Sequence, residues 1–231
     1  MNDLTIYDKY ANAWWDGSVK WLRTLHAMVP ARLAYFDRYV DDWHGKEVLD
    51  LGCGGGFMAE ALAQRGASVV GVDPAEDAIL AAQRHAASMG LLITYSRGTA
   101  ERIPLEDDSV DIVVSVDVLE HVADLEASLN EIKRVLRPGG FFIFDTINRN
   151  PLASFIVITL AERVIGLLPR GTHDASMFIR PKELKIALRD RGFDEIEFKG
   201  LGPVGLNRKL DFVFGQIPLT TIQYLGKARL K

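Results

Sequence analysis

The chain has 231 residues, 27 basic and 31 acidic, with a net charge of −4 and 48% apolar residues. That length suits one domain with a full core. The balance excludes a disordered or coiled-coil chain and argues against general nucleic-acid binding, which needs a basic face. A single cysteine rules out an intrachain disulfide and fits a reducing compartment.

The amino end, MNDLTIYDKYANAWWDG, has no basic segment followed by an apolar core, so no targeting signal is read there. Trp14, Ser18, Trp21, Leu22, Leu25 and Val29 recur at helical spacing and predict a helix over 14–29. Pro30 is expected to interrupt it, with a second helix over 31–40, and Gly45 resets the chain. Residues 1–44 thus read as a helical cap.

Strands and helices then alternate. EVLDLG (47–52), SVVGVD (68–73), LITYSRG (92–98), VDIVVSV (110–116) and FFIFDTIN (141–148) read as strands. Helices are expected over 57–66, 75–90 and 125–140, the last closed by Pro-Gly-Gly. This order predicts an α/β fold, a parallel sheet with helices on both faces, and 45–148 reads as its ligand-binding core. Residues 149–181 break the alternation. Leu152 to Leu168 is the most apolar stretch, interrupted by Glu162 and Arg163 and shorter than the ~20 residues of a bilayer span. A helix over 181–193, a strand over 195–201 and unordered tail strands complete a single domain, with 182–231 adding to the sheet. The chain reads as soluble and cytoplasmic.

Asp50-Leu-Gly52-Cys-Gly54-Gly55-Gly56 closes the first strand and opens a helix, where glycines let backbone approach a ligand. The dinucleotide spacing G-x-G-x-x-G fails because its third position is Phe57, and no Lys-Ser/Thr pair follows to make a P-loop. Asp73 ends the second strand, placed to accept ribose hydroxyls or, alternatively, to cap the next helix. Asp117, Glu120 and His121 follow the fourth strand at i, i+3 and i+4. If that segment turns helically they share a face and could hold a divalent ion such as magnesium, or contact substrate. His121 is the leading candidate for a general base and His173 its competitor. His26 and His85 read as structural.

VLDLGCGGG, VVGVD, DIVVSVDVLEHV and RVLRPGGFFIF, in this order over 47–145, resemble the motifs of class I S-adenosylmethionine-dependent methyltransferases. The resemblance implies a Rossmann-like fold with a mostly parallel seven-stranded sheet and an N-terminal helical cap. It implies that Asp50, Gly52, Gly54 and Asp73 line the cofactor site and that Thr99, Ala100, Glu101 and Val116 flank the adenine. Outside the core, WWD (14–16), LHAMVPARL (25–33), TINRN (146–150) and LLPRGTHD (167–174) resemble the ubiquinone-biosynthesis O-methyltransferases, which act on polyprenyl phenols or catechols. Arg32 matches the family's arginine for the cofactor carboxylate, and the family resemblance favours magnesium at Asp117, Glu120 and His121, with Glu120 or His121 as alternative substrate contacts. The chain departs from that pattern at Val29 and from Leu201 onward.

The expected partner is a small phenol or quinol, with no nucleic acid. Residues 152–168 are expected either to touch the inner face of a membrane or to cover the acceptor as a buried lid. The competing readings are a natural-product O-, N-, C- or S-methyltransferase and a non-catalytic cofactor-binding scaffold.

Overall fold

The computed structural model describes residues 5–164, 168–209 and 211–231. Helix α1 (Thr5–Lys9) and a short 3-10 turn (Ala11–Ala13) lead to α2 (Lys20–Phe36). The expected helix over 14–29 starts six residues late, because Trp14 and Trp15 instead turn toward the glycine loop. Pro30 does not end α2. Met28, Val29, Ala31 and Leu33 are all buried around it, and that burial outweighs the roughly 3 kcal/mol that an interior proline costs.

The core follows as β1 (Glu47–Leu51), α3 (Phe57–Ala63), β2 (Ser68–Asp73), α4 (Glu76–Ser88), β3 (Ile93–Arg97), β4 (Val110–Ser115), α5 (Leu125–Val135) and β5 (Leu136–Ile147). Strands β1 and β4 are buried along nearly their whole length, as strands covered on both faces must be. Helix α5 stops at Val135, earlier than expected. Its Pro-Gly-Gly belongs to the irregular entry of β5, where Leu136 pairs with Val110 before the register shifts to Ile112 and Phe141.

After β5 come α6 (Pro151–Ser154), a π-helix (Phe155–Val164), a 3-10 turn (Ala175–Met177), α7 (Pro181–Asp190), β6 (Phe193–Leu206), β7 (Phe212–Ile217) and β8 (Gln223–Leu230). The sheet has eight strands in the order β3-β2-β1-β4-β5-β8-β6-β7, rather than the expected seven. The β1–β5 pairings are parallel, and those of β8 with β5 and β6, and of β6 with β7, are antiparallel. The extra strand arises because β6 runs on past the expected end at Leu201 and returns as a hairpin that packs β7 against α2.

Two apolar layers cover the sheet. One gathers α2, α3 and α4 with Trp14 and Trp21; the other gathers Leu129 and Ile132 of α5 with Leu184 and Leu188 of α7. A smaller cluster of Ile147, Ala153, Val157 and Phe178 seats the segment after β5. Among the described residues no helix is long and apolar enough to cross a membrane. Ile165 and Leu167, counted in the apolar stretch, lie outside the described residues.

Candidate active site

The carboxyl ends of β1, β2 and β4 open into a cavity of about 300 Å³. Six residues expected at the cofactor line it: Arg32, Asp50, Gly52, Gly54, Asp73 and Val116. Gly52 adopts φ +77°, and a Cβ there would lie 2.2 Å from Val118 Cγ2, so only glycine lets the loop pass under the segment after β4. Thr99, Ala100 and Glu101 are not part of this lining. Thr99 is exposed, Ala100 packs in the second apolar layer, and Glu101 accepts from the amides of Ala123 and Asp124, so its carboxylate braces the loop before α5.

The roof of the cavity comes from the cap. Tyr7, Asp8 and Trp14 line it, none of them singled out as site residues from the sequence. Trp14 lies across the glycine loop, and a Cβ at Gly55 would fall 2.2 Å from its Cγ. Trp15 Nε1 donates to Gly55 O at 2.8 Å, while its ring stacks on His85 at 3.6 Å. His85 in turn meets Glu60 through Nδ1, and His26 stacks on Phe57, which gives both histidines the structural role expected of them. The paired tryptophans of the WWD stretch were the available signal for this roof, but helical periodicity assigned Trp14 to a core face.

Three acidic side chains, Asp50, Asp73 and Asp117, give the floor its character. Asp73 accepts from the amides of Gly54 and Ala75, each at 2.8 Å, yet burial pushes its carboxyl up to about 6. Asp50 is fully buried and neither oxygen has a well-formed hydrogen bond; burial pushes it up to about 7, the Ala59 amide giving partial relief. An acid left in that condition faces a cavity suited to a cation. Arg32, buried, is held between Asp145 and Asp117. Burial raises the Asp145 carboxyl, with Arg32 opposing that shift.

A second cavity, about 370 Å³ and walled largely by aliphatic and aromatic side chains, lies beside the first. Its walls include Met28 of α2, Ile156 and Leu160 of the π-helix, and Phe212 and Phe214 of β7. Tyr7, Leu25, Asp117 and His121 line both cavities, so the two chambers meet there. Burial and neighbouring His173 push His121 down to about 3, which keeps its ring neutral. Glu120 is fully buried and accepts from Thr146 Oγ1 at 2.7 Å; burial, with Asp117 adding to it, raises its carboxyl.

The expected trio of Asp117, Glu120 and His121 does not form one ligand face. The segment is a turn rather than a helix, Asp117 sits in the left-handed region at φ +55°, and its oxygens go to Arg32 and Gln223 Nε2. His173 of the GTHD loop takes that place: ligand-type atoms of Glu120, His121 and His173 lie within 4.8 Å of one another, and the two rings are 5.0 Å apart. Two imidazoles and one carboxylate are not the oxygen-rich shell that magnesium takes, so the residues present do not fit that ion.

A mostly parallel sheet with a glycine loop at its switch point, an acidic residue ending β2 and a capped cavity beside an apolar chamber define a class I methyltransferase. Residues 49–144 match the methyltransferase domain family. The chain is 39% identical over 211 residues to the ubiquinone biosynthesis O-methyltransferase of Dinoroseobacter shibae, covering 87% of this chain and 85% of that protein. It is 40% identical over 200 residues to the enzyme of the same name from Pseudomonas putida, covering 86% and 85%. Its fold matches a SAM-dependent methyltransferase of Thermotoga maritima with a TM-score of 0.67 at 22% identity, over 99% of this chain and all of the other. The chain belongs to the family of ubiquinone biosynthesis O-methyltransferases.

Proposed function

We propose that this enzyme uses S-adenosylmethionine to methylate a phenolic or catechol oxygen on a polyprenyl ring in ubiquinone biosynthesis. The observation that carries this reading is the meeting of the two cavities at Tyr7, Leu25, Asp117 and His121, one floored by acids and the other apolar. The cofactor supplies, when bound, a methyl group carried on a sulfonium cation. In this reading Asp73, Asp50 and Arg32, which line the first cavity, accept from ribose hydroxyls, offset the ligand's positive charge and meet its carboxylate, respectively. The aliphatic walls of the second chamber hold the ring and its first prenyl units, excluding water and aligning the oxygen with the methyl group.

A polyprenyl acceptor resides in a bilayer, and the segment between β5 and α7 suits its collection there. Ile156 and Leu160 face the chamber, while Leu152, Phe155 and Val164 are exposed. In this reading the segment is lid and membrane contact at once, lying in the interface at the inner face of the membrane. The test is transfer of labelled methyl from S-adenosylmethionine to a demethylated polyprenyl catechol presented in vesicles. Turnover of that acceptor is expected; no transfer to it, with turnover of an unrelated amine or thiol, would overturn the reading.

A further inference from the structure

One acidic side chain ties the GTHD loop to the π-helix. Glu162 is the one acid in the π-helix and is 2% exposed. Its Oε2 accepts from the Gly171 amide at 2.9 Å and its Oε1 from the His173 amide at 3.1 Å. Those two bonds would suffice to hold the loop. A third contact goes beyond that need: Oε1 also lies 2.8 Å from Nδ1 of the His173 ring. A carboxylate can only accept, so Nδ1 carries the proton, and in the neutral ring Nε2 is the nitrogen with the lone pair. The ring itself is nearly buried, lines the apolar chamber, and stands beside His121, which borders both cavities. A long π-helix is rare and such turns cluster at functional sites. Here Phe155–Val164 sends Ile156 and Leu160 to the chamber and a buried carboxylate to the histidine.

We propose that Glu162 is a positioning residue that holds His173 in its Nδ1–H tautomer, so that Nε2 takes the proton of the acceptor hydroxyl during methyl transfer. This deepens the reading of the site as a phenol O-methyltransferase and rests on it. The hydroxyl proton moves to Nε2, the phenolic oxygen forms its bond to the methyl group, and the electron pair of the broken sulfur–carbon bond stays on sulfur. His173 becomes an imidazolium whose Nδ1–H bond to Glu162 is charge-assisted, and it returns the proton to water when product leaves. The arrangement is the base-and-orienter geometry that recurs on unrelated folds.

The experiment compares wild type with Glu162→Gln on two soluble acceptors: a simple catechol, and a nitrocatechol already ionised at the assay pH. Glu162→Gln is expected to lower kcat on catechol roughly 10- to 100-fold, part of the ~10²–10⁴-fold that a base contributes. KM for S-adenosylmethionine should not move, and the loss on nitrocatechol should be under about 3-fold. In wild type, side-chain ¹⁵N NMR of His173 should show a protonated Nδ1 and an unprotonated Nε2. His173→Ala should match the acceptor pattern, and the double variant should be no worse. Equal losses on both acceptors would make Glu162 a loop tie only, and an Nε2–H tautomer in wild type would overturn the proposal even if the variants fail to fold. An unprotonated Nε2 that is occupied by a chelator-sensitive metal would overturn it as well. Wild type that methylates neither acceptor nor the polyprenyl catechol would sink the phenol reading instead, while the NMR result still decides the Glu162–His173 arrangement.

Discussion

Asp73 shows how a single carboxylate can brace a fold while lining a cavity. Its two oxygens each take an amide, from Gly54 and Ala75, and so brace the glycine loop against the start of α4. The residue also lines the cavity. Asp73→Ala should weaken S-adenosylmethionine binding about 10- to 100-fold, the equivalent of ~1.5–3 kcal/mol for lost charge-assisted bonds. Calorimetric titration checks this, and unchanged affinity in a folded variant would refute the ribose assignment. Gly55 is constrained differently. A methyl group there meets the Trp14 indole at 2.2 Å, and Trp14 lines the cavity. Gly55→Ala should expel Trp14 from its seat, seen as altered tryptophan fluorescence with loss of cofactor affinity. A variant with native fluorescence and affinity would show that the roof does not depend on this contact.

At the scale of elements, the cap and the lid segment carry the interest. The cap is pinned to the core by Trp15 against His85 and Gly55, by Asp8 accepting from the Asp77 amide at 2.9 Å, and by Trp14 over the loop. Its composition, rich in aromatic side chains, announced burial without saying against what. The segment between β5 and α7 presents Leu152 of α6 at 52% exposure and Phe155 of the π-helix at 56%. A Phe155→Asp/Leu152→Asp variant should lose sedimentation with anionic vesicles while keeping turnover of a soluble catechol. Absence of vesicle binding by wild type would leave the segment as a lid alone. The expectation of a helix over 125–140 failed at a specific place: Leu136 pairs with Val110, and strand pairing captured residues that local propensity assigned to the helix end.

For the whole molecule, the buried acids set the pH dependence. Asp50 at about 7 and Asp73 at about 6, with Glu120 and Asp145 also raised, all lie above their unfolded values near 4. His121 and His26, both lowered, work the other way below about pH 6.5, but the four raised acids outnumber them, so the native state holds more protons than the unfolded chain between about pH 4 and 7 and stability falls as pH rises through that window. The exposed acids whose pKa is lowered, Asp16, Asp174 and Glu195 among them, act below it. The ligand-free protein should melt at a higher temperature at pH 5.5 than at pH 8. A cationic ligand favours the ionised acids, so the rise in melting temperature on adding S-adenosylmethionine should be larger at pH 8. A ligand-free melting temperature that climbs steadily from pH 5.5 to 8 would contradict this account.

Sequence periodicity alone was enough for the alternating core, the glycine loop and Asp73. Each is encoded within a few residues: a buried run makes a strand, glycines permit a tight turn, and the last residue of a parallel strand lies at the sheet's carboxyl edge. The eighth strand, the Trp14 roof, the clasp of Arg32 by Asp117 and Asp145, and the approach of His173 to His121 had no such local signature. Asp117 shows why. Its spacing to Glu120 and His121 would make one face only in a helix, but the backbone turns left-handed there and the side chain goes to a cation 85 positions earlier in the chain. Charges pair with whatever the fold brings near, and only the packed chain decided that His173, from a loop beyond the π-helix, would stand beside Glu120 and His121.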